Sequence, residues 1–146
     1  MTEPPLLALA AGKKVRLRRI SDPPEKELPL HISIVHLLKV AANPKWRWTH
    51  IPNGELRDIR TAQKLKAMGV QPGWPDMMFV GPRSGQTIQG SQIAFLEFKR
   101  KDRSLSETQR NFRDWCIDMH IPFEVTDNAN DAIRFLQQHE IIIIRK

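Results

Sequence analysis

Two short apolar runs separated by a turn-rich segment most constrain how this chain can fold. The run DMMFV occupies positions 76–80, the run IAFLEF occupies positions 93–98, and GPRSGQTIQGSQ lies between them. Apolar runs of this length, bounded by Gly, Pro and Ser, are typical of β-strands joined as an antiparallel hairpin. The sequence therefore predicts a β-hairpin at the centre of the core.

The segments around this hairpin alternate between helical and strand patterns. From Pro29 onwards, apolar residues follow the spacing of an amphipathic helix, at Leu30, Ile34, Leu37, Leu38 and Ala41. Further helices are predicted over residues 57–68, SETQRNFRDWCIDM and NDAIRFLQQH, and strands at WRWTH, PFEV and, as a strand or extended tail, IIII. The i, i+3, i+4, i+7 spacing in the second of these helices predicts a face packed on the core, made of Phe112, Trp115, Cys116 and Met119. This order predicts an α/β fold in which helices flank a mixed sheet.

The length and the charge of the chain limit the possible domain organisation and the possible partners. The 146 residues suffice for one domain, which we place at residues 25–146. Residues 1–24 carry prolines near both ends and the basic cluster KKVRLRR, and we expect them to form a flexible basic arm in which Lys13 and Lys14 contact DNA. The chain has 23 Lys and Arg against 16 Asp and Glu, a net charge of +7, which favours a phosphate-bearing partner. Composition alone does not exclude the alternative that the protein is basic but has no polyanionic partner.

Two classes of protein are disfavoured by what the sequence lacks. Cys116 is the only cysteine, so an intrachain disulfide and a thiolate-rich metal site are excluded. No apolar run approaches the roughly 18–20 residues of a membrane span. We therefore expect a cytoplasmic protein that does not insert into a membrane.

Three charged residues lie at the ends of the two apolar runs: Asp76, Glu97 and Lys99. Residues two apart on a strand share a face, so Glu97 and Lys99 point to the same side while Phe98 points to the other. If the hairpin places Asp76 near Glu97, two carboxylates meet, and they repel each other unless a proton or a cation lies between them. Oxygen ligands of this kind suit Mg²⁺. Beside such an ion, Lys99 would orient or deprotonate the water that attacks a phosphodiester, or offset negative charge in the transition state. An exposed strand edge with alternating charges is the structural alternative.

The residues around these charges resemble a known family. Asp76 after a proline, followed about twenty residues later by Glu97-Phe98-Lys99, resembles the PD-(D/E)xK nuclease motif. The flanking LKAMGVQPGWPDMMF, FLEFKR and LSETQ are similar to the VRR-NUC branch, and THIPNG is similar to its small phage and bacterial members. The similarity covers roughly residues 25–138. It implies a restriction-endonuclease-like fold and a metal-dependent DNA endonuclease in the cytoplasm of a bacterial or phage-infected cell.

The same resemblance implies roles for individual residues. Asp76 and Glu97 become ligands of Mg²⁺ or Mn²⁺, with the backbone carbonyl of Phe98 as a further ligand. Lys99 becomes the catalytic lysine. Glu27 takes the place of an acid near the start of the family's first helix, and is a fourth candidate ligand.

Gln109 corresponds to a glutamine that the family places near its active site. With Ser106 it also forms an S-x-x-Q capping box, in which its side chain only satisfies a helix-end amide. Both roles stay open. Two residues depart from the family's pattern: Trp74 replaces a smaller aliphatic residue before Pro-Asp, and His120 stands where a helix-ending glycine is common.

The remaining polar residues are weaker candidates. The basic residues Arg57, Arg60, Lys64 and Lys66 form either a solvated helix face or a DNA contact, and Arg100 is a further DNA-binding candidate. His31 and His36 are five residues apart, which does not place them on one helix face, so a zinc site is disfavoured. His50 is interpreted as part of a turn or as a phosphate contact.

Two alternatives to a simple endonuclease stay open on the sequence. One is a homodimeric nuclease that cuts junctions or flaps. The other is a catalytically silent nucleic-acid-binding protein, in which the acids are salt-bridged to Lys99 and Arg100.

Overall fold

The structure of the protein is a computed structural model that describes residues 8–10, 13–15, 27–53, 58–83 and 90–144. Its strands are β1 (Ala8–Ala10), β2 (Lys13–Val15), β3 (Arg47–His50), β4 (Met77–Pro82), β5 (Ser91–Phe98) and β6 (Phe123–Thr126). Its helices are α1 (Glu27–Ala41), α2 (Ile59–Ala67), α3 (Glu107–Asp118) and α4 (Ala129–Gln138). No helix in the described ranges is long and apolar enough to cross a lipid bilayer.

Four strands form one mixed sheet in the order β3-β4-β5-β6. Strands β3, β4 and β5 are antiparallel neighbours, and β4 and β5 are the predicted central hairpin. Strand β6 pairs with β5 in parallel, and α3 makes the crossover that a parallel connection requires. The predicted α/β class, with a mixed sheet flanked by helices, is confirmed.

One face of the sheet packs against α1 and α4 and forms the main core. The helical spacing predicted from Pro29 onwards is confirmed, because all five predicted apolar residues are buried in α1: Leu30, Ile34, Leu37, Leu38 and Ala41. They meet Phe79, Leu96 and Phe98 of the sheet and Leu136 of α4 in one cluster. The helix begins at Glu27, two residues before the prediction, and Pro29 is tolerated because the first turn has no intrahelical partner for its missing N–H.

The opposite face of the sheet packs against α3 through aromatic rings. Phe112 lies 5.1 Å from Phe95 and 4.9 Å from Trp74 between ring centroids, so Trp74 packs against α3. Cys116 is fully buried, as predicted. The prediction that Trp115 and Met119 also pack on the core is wrong, since their side chains are 46% and 56% exposed.

The other elements differ from the predictions mainly at their ends. Helix α2 begins after Asp58, whose carboxylate caps it, and it has no buried residue, while the predicted helical position Arg57 falls outside the described residues. The final isoleucine run pairs through Ile142 with Ala42 next to α1. In the predicted basic arm, the described backbone forms an antiparallel pair of β1 with β2, and the rest of that arm lies outside the described residues.

Candidate functional site

The two acids of the motif lie side by side where β4 begins and β5 ends. Met77 pairs with Leu96, and extending this register by one residue places Asp76 opposite Glu97. The Asp76 N–H donates to Glu97 Oε2 at 3.2 Å, and the Phe98 N–H donates to Asp76 Oδ2 at 2.8 Å. Each carboxylate is therefore held by the backbone of the other strand. The two acids are cross-strand neighbours, as the sequence predicts.

Glu97 is buried and closely surrounded. The residue is 3% exposed, Lys99 Nζ lies 3.2 Å from its Oε1, and Gln109 Nε2 donates to the same oxygen at 2.6 Å. Loss of solvation, and after it the charge of Asp76, raises the pKa of Glu97 to about 7 against the opposing effect of Lys99. A proton or a cation at this position would offset the buried charge.

Gln109 makes the helix-capping contacts with Ser106 and also contacts Glu97 of the motif. Its Oε1 accepts from the Ser106 N–H at 2.9 Å, and its own N–H donates to Ser106 Oγ, which completes the capping box of α3. Its Nε2 simultaneously donates to Glu97. The helix cap therefore fixes the amide in the orientation in which it holds the buried carboxylate.

Two histidines approach Asp76 from the side of α1. Ligand atoms of His31, His50 and Asp76 lie within 4.8 Å of one another, so these three residues could together hold a metal ion. The rings of His31 and His50 are 4.7 Å apart, and the ring of His31 stacks on Phe98 at 4.8 Å. Burial lowers the pKa of His31, an effect that the Asp76 charge opposes. In the part of the chain that the structure describes, these are the three His, Cys, Asp or Glu side chains that come together closely enough to share an ion, and Glu97 is not among them.

The sequence did not identify these histidines as candidate ligands. His31 and His36 are the pair that lies close in the chain, whereas the structure brings His31 next to His50 on β3, which follows α1 in the chain. The spacing in α1 could have indicated His31 as a candidate. Glu27 and His31 are four residues apart, so they share a helix face, and Glu27 was already a candidate ligand. The proximity of His50 to Asp76 could not be predicted from the sequence, because it depends on the pairing of His50 with Met77, the residue after Asp76.

A groove of about 600 Å³ opens between α1 and this end of the sheet. Asp76, His31 and His50 line it together with Glu27, whose Oε1 accepts from the Arg100 N–H at 3.3 Å. Glu27 thus lies in the same groove as Asp76 but is held against the backbone after β5. Its proposed role as a metal ligand stays a prediction, as does that of the Phe98 carbonyl.

Asp76 consequently joins two sets of side chains. Toward α3 lie Glu97, Lys99 and Gln109, and toward α1 lie the two histidines. Lys99 is fixed at the backbone as well, since its N–H donates to the Thr126 carbonyl at 2.9 Å, which continues the pairing of β5 with β6. The end of the sheet therefore carries acid, base and cationic groups on a rigid support.

The structure describes only some of the predicted DNA-binding residues. Lys64 and Lys66 are exposed on α2, and Arg100 is ion-paired with Asp102 at 3.2 Å. The side chains of Lys13 and Lys14 and the whole of Arg57 fall outside the described residues. Contact of all these residues with DNA stays a prediction.

Comparison of the chain with protein family models, with curated proteins and with solved structures finds no match. What the chain does is therefore inferred from the side chains at the end of the sheet, together with the motifs they belong to.

Proposed function

We propose that this protein is a metal-dependent nuclease that hydrolyses phosphodiester bonds in DNA. The observation that carries the proposal is the convergence of Asp76, Glu97 and Lys99 at one end of the sheet, with Glu97 almost fully buried. Burying a carboxylate beside a second carboxylate is costly, and a fold that needs only stability would place an apolar residue there. The arrangement is accounted for if it binds a cation and a phosphate.

The residues present fit a divalent cation. Asp76 and Glu97 offer carboxylate oxygens, the donors that Mg²⁺ and Mn²⁺ take, and burial first and the Asp76 charge second raise the pKa of Glu97, effects that a bound cation would offset. When bound, such an ion supplies charge neutralisation and Lewis acidity at a phosphate oxygen. Asp76 lines the open groove, so it would hold the ion where a phosphate can reach it.

Lys99 contributes a positive charge next to the carboxylate pair. Its side chain is 18% exposed, so its ammonium group is partly open to solvent while it contacts Glu97. From this position it can donate a hydrogen bond to a non-bridging phosphate oxygen or orient the attacking water. Gln109 acts indirectly, as a positioning residue that holds the Glu97 carboxylate.

The substrate class follows from charge. A net charge of +7 on 146 residues and the exposed Lys64 and Lys66 attract a polyanion, and DNA presents phosphodiesters at regular intervals. The resemblance to VRR-NUC nucleases supports the same substrate. A homodimeric junction or flap nuclease would prefer branched DNA. Comparing the cleavage of branched and unbranched substrates tests this alternative.

The direct test is cleavage of single-stranded, duplex, flapped and four-way DNA with Mg²⁺ or Mn²⁺, and then with EDTA. Lys99→Met should lower the cleavage rate about 10²–10³-fold, the typical effect of losing one preorganised electrostatic group. Lys101→Met removes an exposed lysine from the same segment and is the matched control. Absence of cleavage of every substrate by the parent, or equal rates for parent and Lys99→Met, would refute the proposal.

The Glu97–Lys99 ion pair favours a second candidate, a nucleic-acid-binding protein without catalysis. Asp76→Asn separates the two functions. A nuclease loses cleavage and Mg²⁺ binding, and its metal-free affinity for DNA stays equal or increases, because a negative charge facing the phosphates is removed. In a binding protein that uses the acids only as salt-bridge partners, the variant should mainly lower the melting temperature and leave any Mg²⁺ binding unaffected.

A further inference from the structure

We infer that His31, His50 and Asp76 form a binding site for a divalent transition-metal ion such as Mn²⁺, Co²⁺ or Zn²⁺. This site is chemically distinct from the pair of carboxylates, because two of its three ligands are imidazole nitrogens. The inference goes beyond the proposed nuclease, since binding of the ion requires neither DNA nor cleavage.

The three side chains come from separate elements and meet in the groove. His31 lies on α1, His50 ends β3, and Asp76 precedes β4, and their ligand atoms are within 4.8 Å of one another. Donor atoms that share one ion at about 2.1 Å lie about 3–4 Å apart, so closure around an ion requires side-chain movements of about 1 Å.

The environment of His50 prepares it for this role. Its Nδ1 lies 2.8 Å from the Asp76 carbonyl oxygen, which can only accept a hydrogen bond. Nδ1 therefore carries the proton, and the lone pair is on Nε2, the tautomer that binds a metal ion. A backbone carbonyl that holds one ring nitrogen in this way is the usual outer partner of a metal-binding histidine.

The backbone of Asp76 is itself fixed. Its carbonyl also accepts the Ile51 N–H at 2.7 Å, and its carboxylate accepts the Phe98 N–H. Asp76 thus supplies one ligand directly and orients a second through its carbonyl. His31 is oriented by stacking on Phe98 and by the contact of its Nε2 with the Met77 sulfur at 3.1 Å.

The ligand set selects the class of metal. Imidazole nitrogen suits Mn²⁺, Co²⁺, Ni²⁺ and Zn²⁺, whereas Mg²⁺ prefers oxygen ligands and gives up its water reluctantly. The site should therefore bind Mn²⁺ more tightly than Mg²⁺. Because Asp76 belongs to both sets of side chains, the ion would lie at the inner end of the groove that a phosphate enters.

The experiment uses the full chain, Mn²⁺ and Mg²⁺ without DNA. Affinities are measured by titration calorimetry, and pulsed electron paramagnetic resonance of bound Mn²⁺ detects coupling to imidazole nitrogen. His31→Phe keeps the stacking on Phe98 but has no ligand atom. His50→Asn keeps a donor near the Asp76 carbonyl and removes Nε2. His36→Phe, an exposed position on the same helix, is the matched control.

We expect nitrogen coupling in the parent and in His36→Phe, and weaker coupling in each ligand variant. Each ligand variant should bind Mn²⁺ at least about tenfold more weakly while its affinity for Mg²⁺ is unchanged, a difference that a merely structural role would not produce. Bound Mn²⁺ without nitrogen coupling in the parent, or ligand variants that bind Mn²⁺ as tightly as His36→Phe, would overturn the inference. A parent that binds Mn²⁺ through nitrogen but cleaves no DNA would keep this site and refute only the nuclease.

Discussion

The buried carboxyl group of Glu97 makes the stability of the metal-free protein depend on pH. Its pKa is raised from 4.5 to about 7, chiefly by loss of solvation, so the folded protein keeps a proton that the unfolded chain releases. The contribution of Glu97 to the unfolding free energy is therefore fully present below about pH 4.5. This contribution is lost as the pH rises through about 7. At pH 8 the folded state carries the full cost of the buried charge.

The size of this cost follows from the two pKa values. At about 1.4 kcal/mol per pH unit, the interval from 4.5 to about 7 corresponds to about 3 kcal/mol of unfolding free energy. Glu97→Gln imitates the protonated acid and removes the titration. We expect the variant to gain up to about 3 kcal/mol over the parent between pH 4 and pH 8. The charge of Lys99 and its contact with Glu97 lower the pKa of Glu97 and so oppose part of this cost.

The assay is urea unfolding of both proteins in EDTA across this pH range. Subtracting the two curves cancels other titrating groups, including His31, whose lowered pKa acts with the opposite sign. Glu140→Gln, at an exposed position, is the control and should show no such difference. Parallel pH curves for parent and Glu97→Gln would show that the carboxyl group is charged in the folded protein without cost, and would refute the reasoning.

Three further predictions concern the backbone and the basic surface. Gly73→Ala should lower the unfolding free energy by more than about 1 kcal/mol, because φ is 88° and a Cβ would lie 2.6 Å from the Thr108 carbonyl oxygen; an unchanged urea midpoint would contradict this. His120→Gly should raise it by about 1 kcal/mol, since His120 has a φ of 56°, and a less stable variant would show that the histidine side chain compensates the strain. Neutralising Lys64 and Lys66 with glutamine should reduce the dependence of log Kd for DNA on log salt by about two, and an identical slope would show that α2 does not contact the phosphates.

Local patterns sufficed to predict the four helices, the strands β3 to β6 and the class of fold, but not the short strands β1 and β2. The apolar spacing of α1 predicted its buried residues correctly, because a helix must turn its apolar stripe to the core. The same argument was wrong for Trp115 and Met119 of α3. Periodicity determines which residues share a stripe, but the extent of its burial depends on the neighbouring element, and α3 packs beside β6 at the edge of the sheet.

For the candidate site, too, some features follow from the local sequence and others only from the tertiary structure. The sequence by itself determined that Glu97 and Lys99 share a face and that Asp76 begins the partner strand, since strand period and hairpin connection are local properties. Only the tertiary structure decided that His31 and His50 meet Asp76, and that Gln109 both caps α3 and holds Glu97. These contacts depend on how β3 pairs with β4 and on how the helices pack on the sheet, which are relations between distant segments that no local spacing encodes.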